Sequence, residues 1–136
     1  MSNYLKSNDT GILIIRLTVG LLLLPHGISK LINGVDWLGD LLTKVGLPAL
    51  LRYGVFIGEI IAPILLIIGY RTRIAALFVA FNMFMTVFLA HRTLVFTIRG
   101  SGSWAIELNA LFFFGALALF FMGGGKYCIS TKNKWD

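Results

Sequence analysis

Along this chain, long apolar runs alternate with short polar breaks. A helix needs roughly 20 mostly apolar residues to cross a bilayer. Four runs come close to that length, and they predict spanning helices at about 11–30, 50–70, 73–92 and 104–123. The first follows a polar head in which Asp9 and Thr10 are candidate N-caps. Pro48 stands just before the second, which Gly69 ends, with Arg71 and Arg73 beyond. His91 and Arg92 close the third, and Gly123-Gly124-Gly125 stops the fourth. Tyr53, Tyr70, Trp104 and Tyr127 fall at run edges, where their amphipathic rings suit the membrane interface.

Between spans one and two, Val35, Leu38, Leu41, Leu42 and Val45 recur at helical spacing, with Asp36, Asp40, Thr43 and Lys44 on the other face. This predicts a short amphipathic helix at about 35–45, lying in the interface, with Trp37 near its boundary. A plain loop with some helical content is the alternative. Residues 93–103 read as a loop broken by Gly100 and Gly102. With Lys6 before it, the first run could pass for a signal peptide. Arg16 in its middle, and the lack of a small-x-small site after Pro25-His26-Gly27, make it a span instead. The expected architecture is an all-α membrane protein: a four-transmembrane-helix bundle with a short interfacial helix, forming one transmembrane domain over residues 1–136.

Composition agrees. Of the 136 residues, 57% are hydrophobic and 13% charged, and mean hydropathy is +0.85, too oily for a soluble domain of this size. Net charge is +6, but the basic residues sit at the edges of apolar runs, where lipid phosphates would meet them, and form no patch with interleaved aromatics. Nucleic acid is therefore excluded as a partner. Cys128 is the one cysteine, so neither an internal disulfide nor a C-x-x-C pair exists. Four spans put both termini on one side, together with Lys6, Arg71, Arg73, Lys126, Lys132 and Lys134. The other side has Lys30, Lys44, Arg52, Arg92 and Arg99. Six against five leans toward cytoplasmic termini.

Ionisable groups inside a span are costly and are site hypotheses by default. Here they are Arg16, His26, Glu59 and Glu107, joined by Lys30 and the amide Asn82. Arg16, Gly20, Leu23, Gly27 and Lys30 share one helical face, and its glycines allow close helix approach. Gly54 and Gly58 form a G-x-x-x-G pair on span two. Pro63, four residues after Glu59, frees the Glu59 carbonyl from its helical bond. Antiparallel spans put Arg16 and Glu59 within about one helical turn in depth, which predicts an Arg16–Glu59 ion pair. Glu107 is expected to meet His26, Lys30 or His91. Asn82 and Thr86 share a face of span three and are expected to bond between helices, whereas His91 points away from Asn82. Asn109 is expected to face lipid headgroups or a second subunit. These groups are either fold-specifying pairs or a polar site. No metal-ligand spacing and no nucleophile–base set is present, so neither a metal nor a catalytic residue is assigned.

The run Arg16-Leu17-Thr18-Val19-Gly20, then Pro25-His26-Gly27 and Ser29-Lys30-Leu31, resembles the first-helix signature of the DoxX family. Gly58-Glu59 with Pro63, Gly69 and Thr72-Arg73 resembles its second-helix motif and turn. Glu107 to Leu119, with Gly123-Gly124-Gly125-Lys126-Tyr127, is similar to its fourth helix and glycine-rich close. The resemblance covers about residues 11–129. The chain departs at Cys128 and Ser130, where relatives often place a Ser and an Asp. The resemblance implies a four-helix protein of the bacterial inner membrane, loosely associated with quinone-linked oxidoreduction.

On that reading, Arg16, His26, Lys30, Glu59 and Glu107 form a polar quinone site walled by Phe112, Phe113 or Phe114. Gly20, Gly27, Gly54, Gly58 and Asn82 pack the helices. The cofactor is none intrinsic but a bound quinone, and the partners are membrane lipids with a redox protein or a second copy of the chain. The alternative is a non-enzymatic scaffold or assembly helper; a small-molecule or lipid carrier ranks last.

Overall fold

The computed structural model describes residues 7–136, so Lys6 lies outside the described residues. Helix α1 spans Asn8–Asn33, α2 Asp36–Lys44, α3 Ala49–Ile68, α4 Thr72–Leu94 and α5 Glu107–Met122. The first, third and fourth are long and apolar enough to cross a membrane, and α5 is a shorter apolar helix of 16 residues. The protein is an all-helical membrane bundle; its one β feature among the described residues is an isolated bridge between Ile98 and Trp104.

Each boundary has a local cause. Ser7 caps α1, its hydroxyl accepting the Thr10 N–H at 3.2 Å, so the cap falls before the two residues expected. Asp9 instead lies in the first turn and accepts the Lys126 N–H at 3.0 Å. The predicted stop at Gly69 is a left-handed cap (φ 75°), a conformation without steric cost only for glycine. The interfacial helix expected at 35–45 is α2, with Leu42 buried beneath it.

Two of the long helices are irregular inside. Within α3, residues Ile57–Ile61 form a π turn just before Pro63. Pro63 has no N–H to donate to the Glu59 carbonyl in the ordinary ladder and its ring crowds that carbonyl, and the extra residue in the turn absorbs the mismatch. Within α4, Val87–His91 form a second π turn.

The helices form a ring in which α1 packs on α3 and α5, and α4 packs on α3 and α5. Successive spans run antiparallel: Arg16 near the start of α1 reaches Leu66 near the end of α3 and Gly124 just past α5. The core is small and dense, with Leu23, Leu66, Ala75, Ala76, Val79 and Leu119 at most 1% exposed. Close approach explains part of this. A Cβ on Gly20 would lie 2.6 Å from Ile67, and one on Gly58 would meet the side chain of Asn82. Gly54 is different: nothing lies within 4 Å of its missing Cβ, so it is not a packing glycine.

Candidate functional site

The intramembrane polar groups separate into two clusters at opposite ends of the bundle. At the end holding the Gly69 turn, Arg16 is 1% exposed. Its Nε donates to the Leu66 carbonyl at 2.9 Å, Nη1 to Gly124 and Tyr127 at 2.8 and 2.7 Å, and Nη2 to Ile67 at 3.2 Å. Those carbonyls sit at the ends of α3 and α5, where a helix leaves them without internal partners. The guanidinium therefore ties three elements together with its fixed fork of donors. The polypeptide after α5 folds over this end. Arg71 Nη1 and the Ser130 hydroxyl donate to the Asp136 carboxylate at 3.0 and 2.7 Å, as does the Asn133 N–H at 2.7 Å. Withdrawal from water acts to raise the Asp136 pKa, but these hydrogen bonds outweigh it and hold the carboxyl below its ordinary value.

The expected Arg16–Glu59 pair does not form. Arg16 is level with Leu66, seven residues beyond Glu59, which is about 10 Å along the helix. Gly27 sets that register, because its bare Cα packs directly on the Glu59 carbonyl and places the last turns of α1 beside Glu59. Lys30 is the partner instead. Its Nζ lies 2.6 and 2.8 Å from the two Glu59 oxygens, and Asn82 Nδ2 donates to Oε1 at 3.0 Å. Glu59 is 2% exposed and the Lys30 side chain 22%. A buried carboxylate with three hydrogen bonds from two neighbouring helices is well compensated. Thr86, expected to bond across helices, instead donates to the Asn82 carbonyl of its own helix at 2.8 Å.

A cavity of about 300 Å³ opens beside this pair. His26, Lys30, Glu59, His91, Asn109 and Phe112 line it. His26 meets Phe112 edge to face, with centroids 6.2 Å apart. Three of these placements were not expected. His91 joins Thr86 in the wall because the π turn brings a residue five positions on back over the preceding turn. Asn109 faces inward, with Nδ2 3.9 Å from the Met83 sulfur, since it lies three residues before buried Phe112 on the same face of α5. Trp37 of α2 covers the cavity rather than only marking the interface.

Glu107 is a correction. It is the first residue of α5, is exposed, and makes no side-chain hydrogen bond or ion pair among the described residues. With Asn109 turned inward, a residue two positions earlier is turned outward. A carboxylate there suits the positive end of the helix dipole. Phe114 is 61% exposed on the outer face, so of the three consecutive phenylalanines it is Phe112 that forms a cavity wall.

An antiparallel helical bundle with a buried ion pair and a polar cavity between its helices defines a polytopic membrane protein of the small-bundle class. The family model described as DoxX matches residues 11–92, and the chain belongs to the DoxX family. It is 28% identical over 132 residues to "Inner membrane protein YqjF" of Escherichia coli (strain K12), covering 96% of this chain and 98% of that protein. It is 30% identical over 78 residues to "Putative oxidoreductase CatD" of Bacillus subtilis (strain 168), covering 57% of this chain and 58% of that one. The match thus spans little more than half the length of that relative. No solved structure matches the chain. The region matched by the family model contains Arg16, His26, Lys30, Glu59, Asn82 and His91, and excludes α5.

Proposed function

We propose that this protein is the membrane subunit of a quinone-linked oxidoreductase system and that the cavity beside Lys30 and Glu59 is its quinone site. The observation carrying this reading is the cavity itself: a flat aromatic wall, Phe112, faces donors and acceptors from four helices. A quinone ring needs an apolar slot with a hydrogen-bonding group near each carbonyl. Asn109 and the two histidines are the groups that would hold those carbonyls, with the Lys30–Glu59 pair beside them. The quinone would supply the electron-carrying ring. A partner redox protein, or a second copy of the chain alongside one, would deliver or receive the electrons. The name of the Bacillus relative supports an oxidoreductase setting, and the name of the Escherichia relative supports placement in the bacterial inner membrane. The slight excess of basic residues on the terminal side supports cytoplasmic termini.

Arg16 supports a second reading for its own end of the bundle. All its observed bonds go to backbone carbonyls of this chain, which is the pattern of a fold-locking residue in a scaffold. The test is extraction of the purified, detergent-solubilised protein followed by mass spectrometry. Near-stoichiometric quinone is expected from the natural sequence and from Glu107→Gln, with loss from folded Glu59→Gln. Absence of quinone from all three would leave the scaffold reading.

A further inference from the structure

A second cavity of about 480 Å³ lies under α2, between α3 and α4. It differs in character from the first. Leu38 and Leu42 of α2 roof it, Leu51 and Gly54 form one side, and Phe81 and Met85 the other. Lys30, Trp37, Thr86 and Ala90 line both cavities, so the two adjoin at Lys30, the partner of Glu59. The outer rim is open on the lipid-facing side: Phe81 is 63% exposed and Leu51 53%.

We propose that this cleft is the tail groove of the same site, holding the hydrocarbon tail of a lipid-soluble quinone whose ring occupies the polar cavity; this rests on the quinone reading above. Two observations select the occupant. First, the polar chamber and the apolar cleft are adjacent, sharing Lys30, Trp37, Thr86 and Ala90 as walls, and both are within the size range of ligand sites, which fits an amphiphile with a compact head and a long chain. Second, the charge of the head chamber is balanced. The Lys30 ammonium is already bonded to both oxygens of Glu59. A phosphate headgroup would bring a negative charge against that carboxylate with no uncommitted lysine or arginine lining the chamber. A neutral ring bearing carbonyls or hydroxyls meets donors and acceptors without that cost. The groove's open rim lets the tail enter sideways from the bilayer, with α2 as the cover.

Gly54 offers a direct test. It lines the groove, has helical backbone angles (φ −62°), and its missing Cβ has open space around it. Gly54→Leu therefore adds bulk to the groove from a position whose Cβ meets no neighbour. Leu51→Asp is a second variant. It sets a charge on the exposed rim in the first turns of α3, where an acidic residue is compatible with folding.

Binding is read in lipid nanodiscs by saturable quenching of Trp37, in protein carrying Trp104→Phe and Trp135→Phe. The probes are a dimethoxy-methyl-benzoquinone without a tail, the same ring with a four-isoprene tail, and dodecyl phosphate as competitor. The tailed probe is expected to bind at least tenfold more tightly than the bare ring. Both variants should remove that advantage while bare-ring binding stays within twofold. A tail advantage that survives both substitutions overturns the groove and leaves the ring site standing. Displacement by dodecyl phosphate at concentrations equal to the tailed quinone would identify an ordinary lipid chain as the occupant and overturn the proposal. If neither ring probe quenches saturably, the quinone reading fails, and the groove with it.

Discussion

Arg16→Met removes the group that ties α1 to the ends of α3 and α5. Four bonds to backbone carbonyls are lost, three of them at 2.7–2.9 Å and one at 3.2 Å. Interhelical hydrogen bonds in bilayers average about 0.6 kcal/mol each, which for four bonds gives about 2 kcal/mol. Bonds to a charged donor are worth about 1.5 kcal/mol or more each, which gives about 6 kcal/mol. Burial at 1% exposure favours the upper half of that range, because the abandoned carbonyls have little water to turn to. The expected loss is thus about 5 kcal/mol. It should appear as a shifted midpoint in reversible unfolding by sodium dodecyl sulfate in mixed micelles. Arg16→Lys should recover less than half, since a single ammonium cannot reproduce the fork that reaches all four carbonyls. A loss below about 1 kcal/mol for Arg16→Met, or full rescue by Arg16→Lys, would refute the reasoning.

Two glycines should respond in opposite directions. Gly27→Ala sets a Cβ 2.7 Å from the Glu59 carbonyl carbon and should cost about 1–3 kcal/mol by pushing α1 off α3. Gly54→Ala meets nothing and should gain about 0.5–1 kcal/mol from helix propensity; the same detergent titration compares them. Acid should release the polypeptide folded over the Arg16 end. A carboxyl held below its ordinary value in the folded state contributes stability that is present above the unfolded value and lost as pH falls through the folded one. Exchange protection factors at Asn133 to Asp136 should therefore stay high at neutral pH and fall only below about pH 4; protection unchanged down to about pH 2, or already lost near neutrality, would contradict this.

The spans, the interfacial helix and the stops at Gly69 and Gly123 were legible because periodicity and backbone chemistry are local properties of the chain. Arg16, Lys30, Glu59 and Asn82 were legible as costly groups, but their pairing was not. Which cation meets Glu59 depends on the vertical register of α1 against α3. That register is set by the fit of Gly27 on the Glu59 carbonyl, a contact between residues 32 apart in the chain. The inward placement of His91 depended on a π turn, and regular helical spacing contains no sign of one. Glu107 and Asn109 exchanged their expected directions for a related reason. Anchoring α5 on its charged residue gave the wrong face, while Phe112, Ala116 and Leu119, at spacings of four and three, mark the buried one.

Photo-crosslinking with an azido-benzoquinone in native membranes, followed by peptide mapping, tests the central claim most directly. Saturable labelling, competed by unlabelled quinone, is expected only at the cavity walls: His26–Lys30 of α1, Trp37 of α2, Glu59 of α3, Thr86–His91 of α4 and Asn109–Phe112 of α5. Labelling spread over the outward-facing side chains Leu111, Phe114 and Phe121, without competition, would place quinone only in the surrounding lipid and contradict the account.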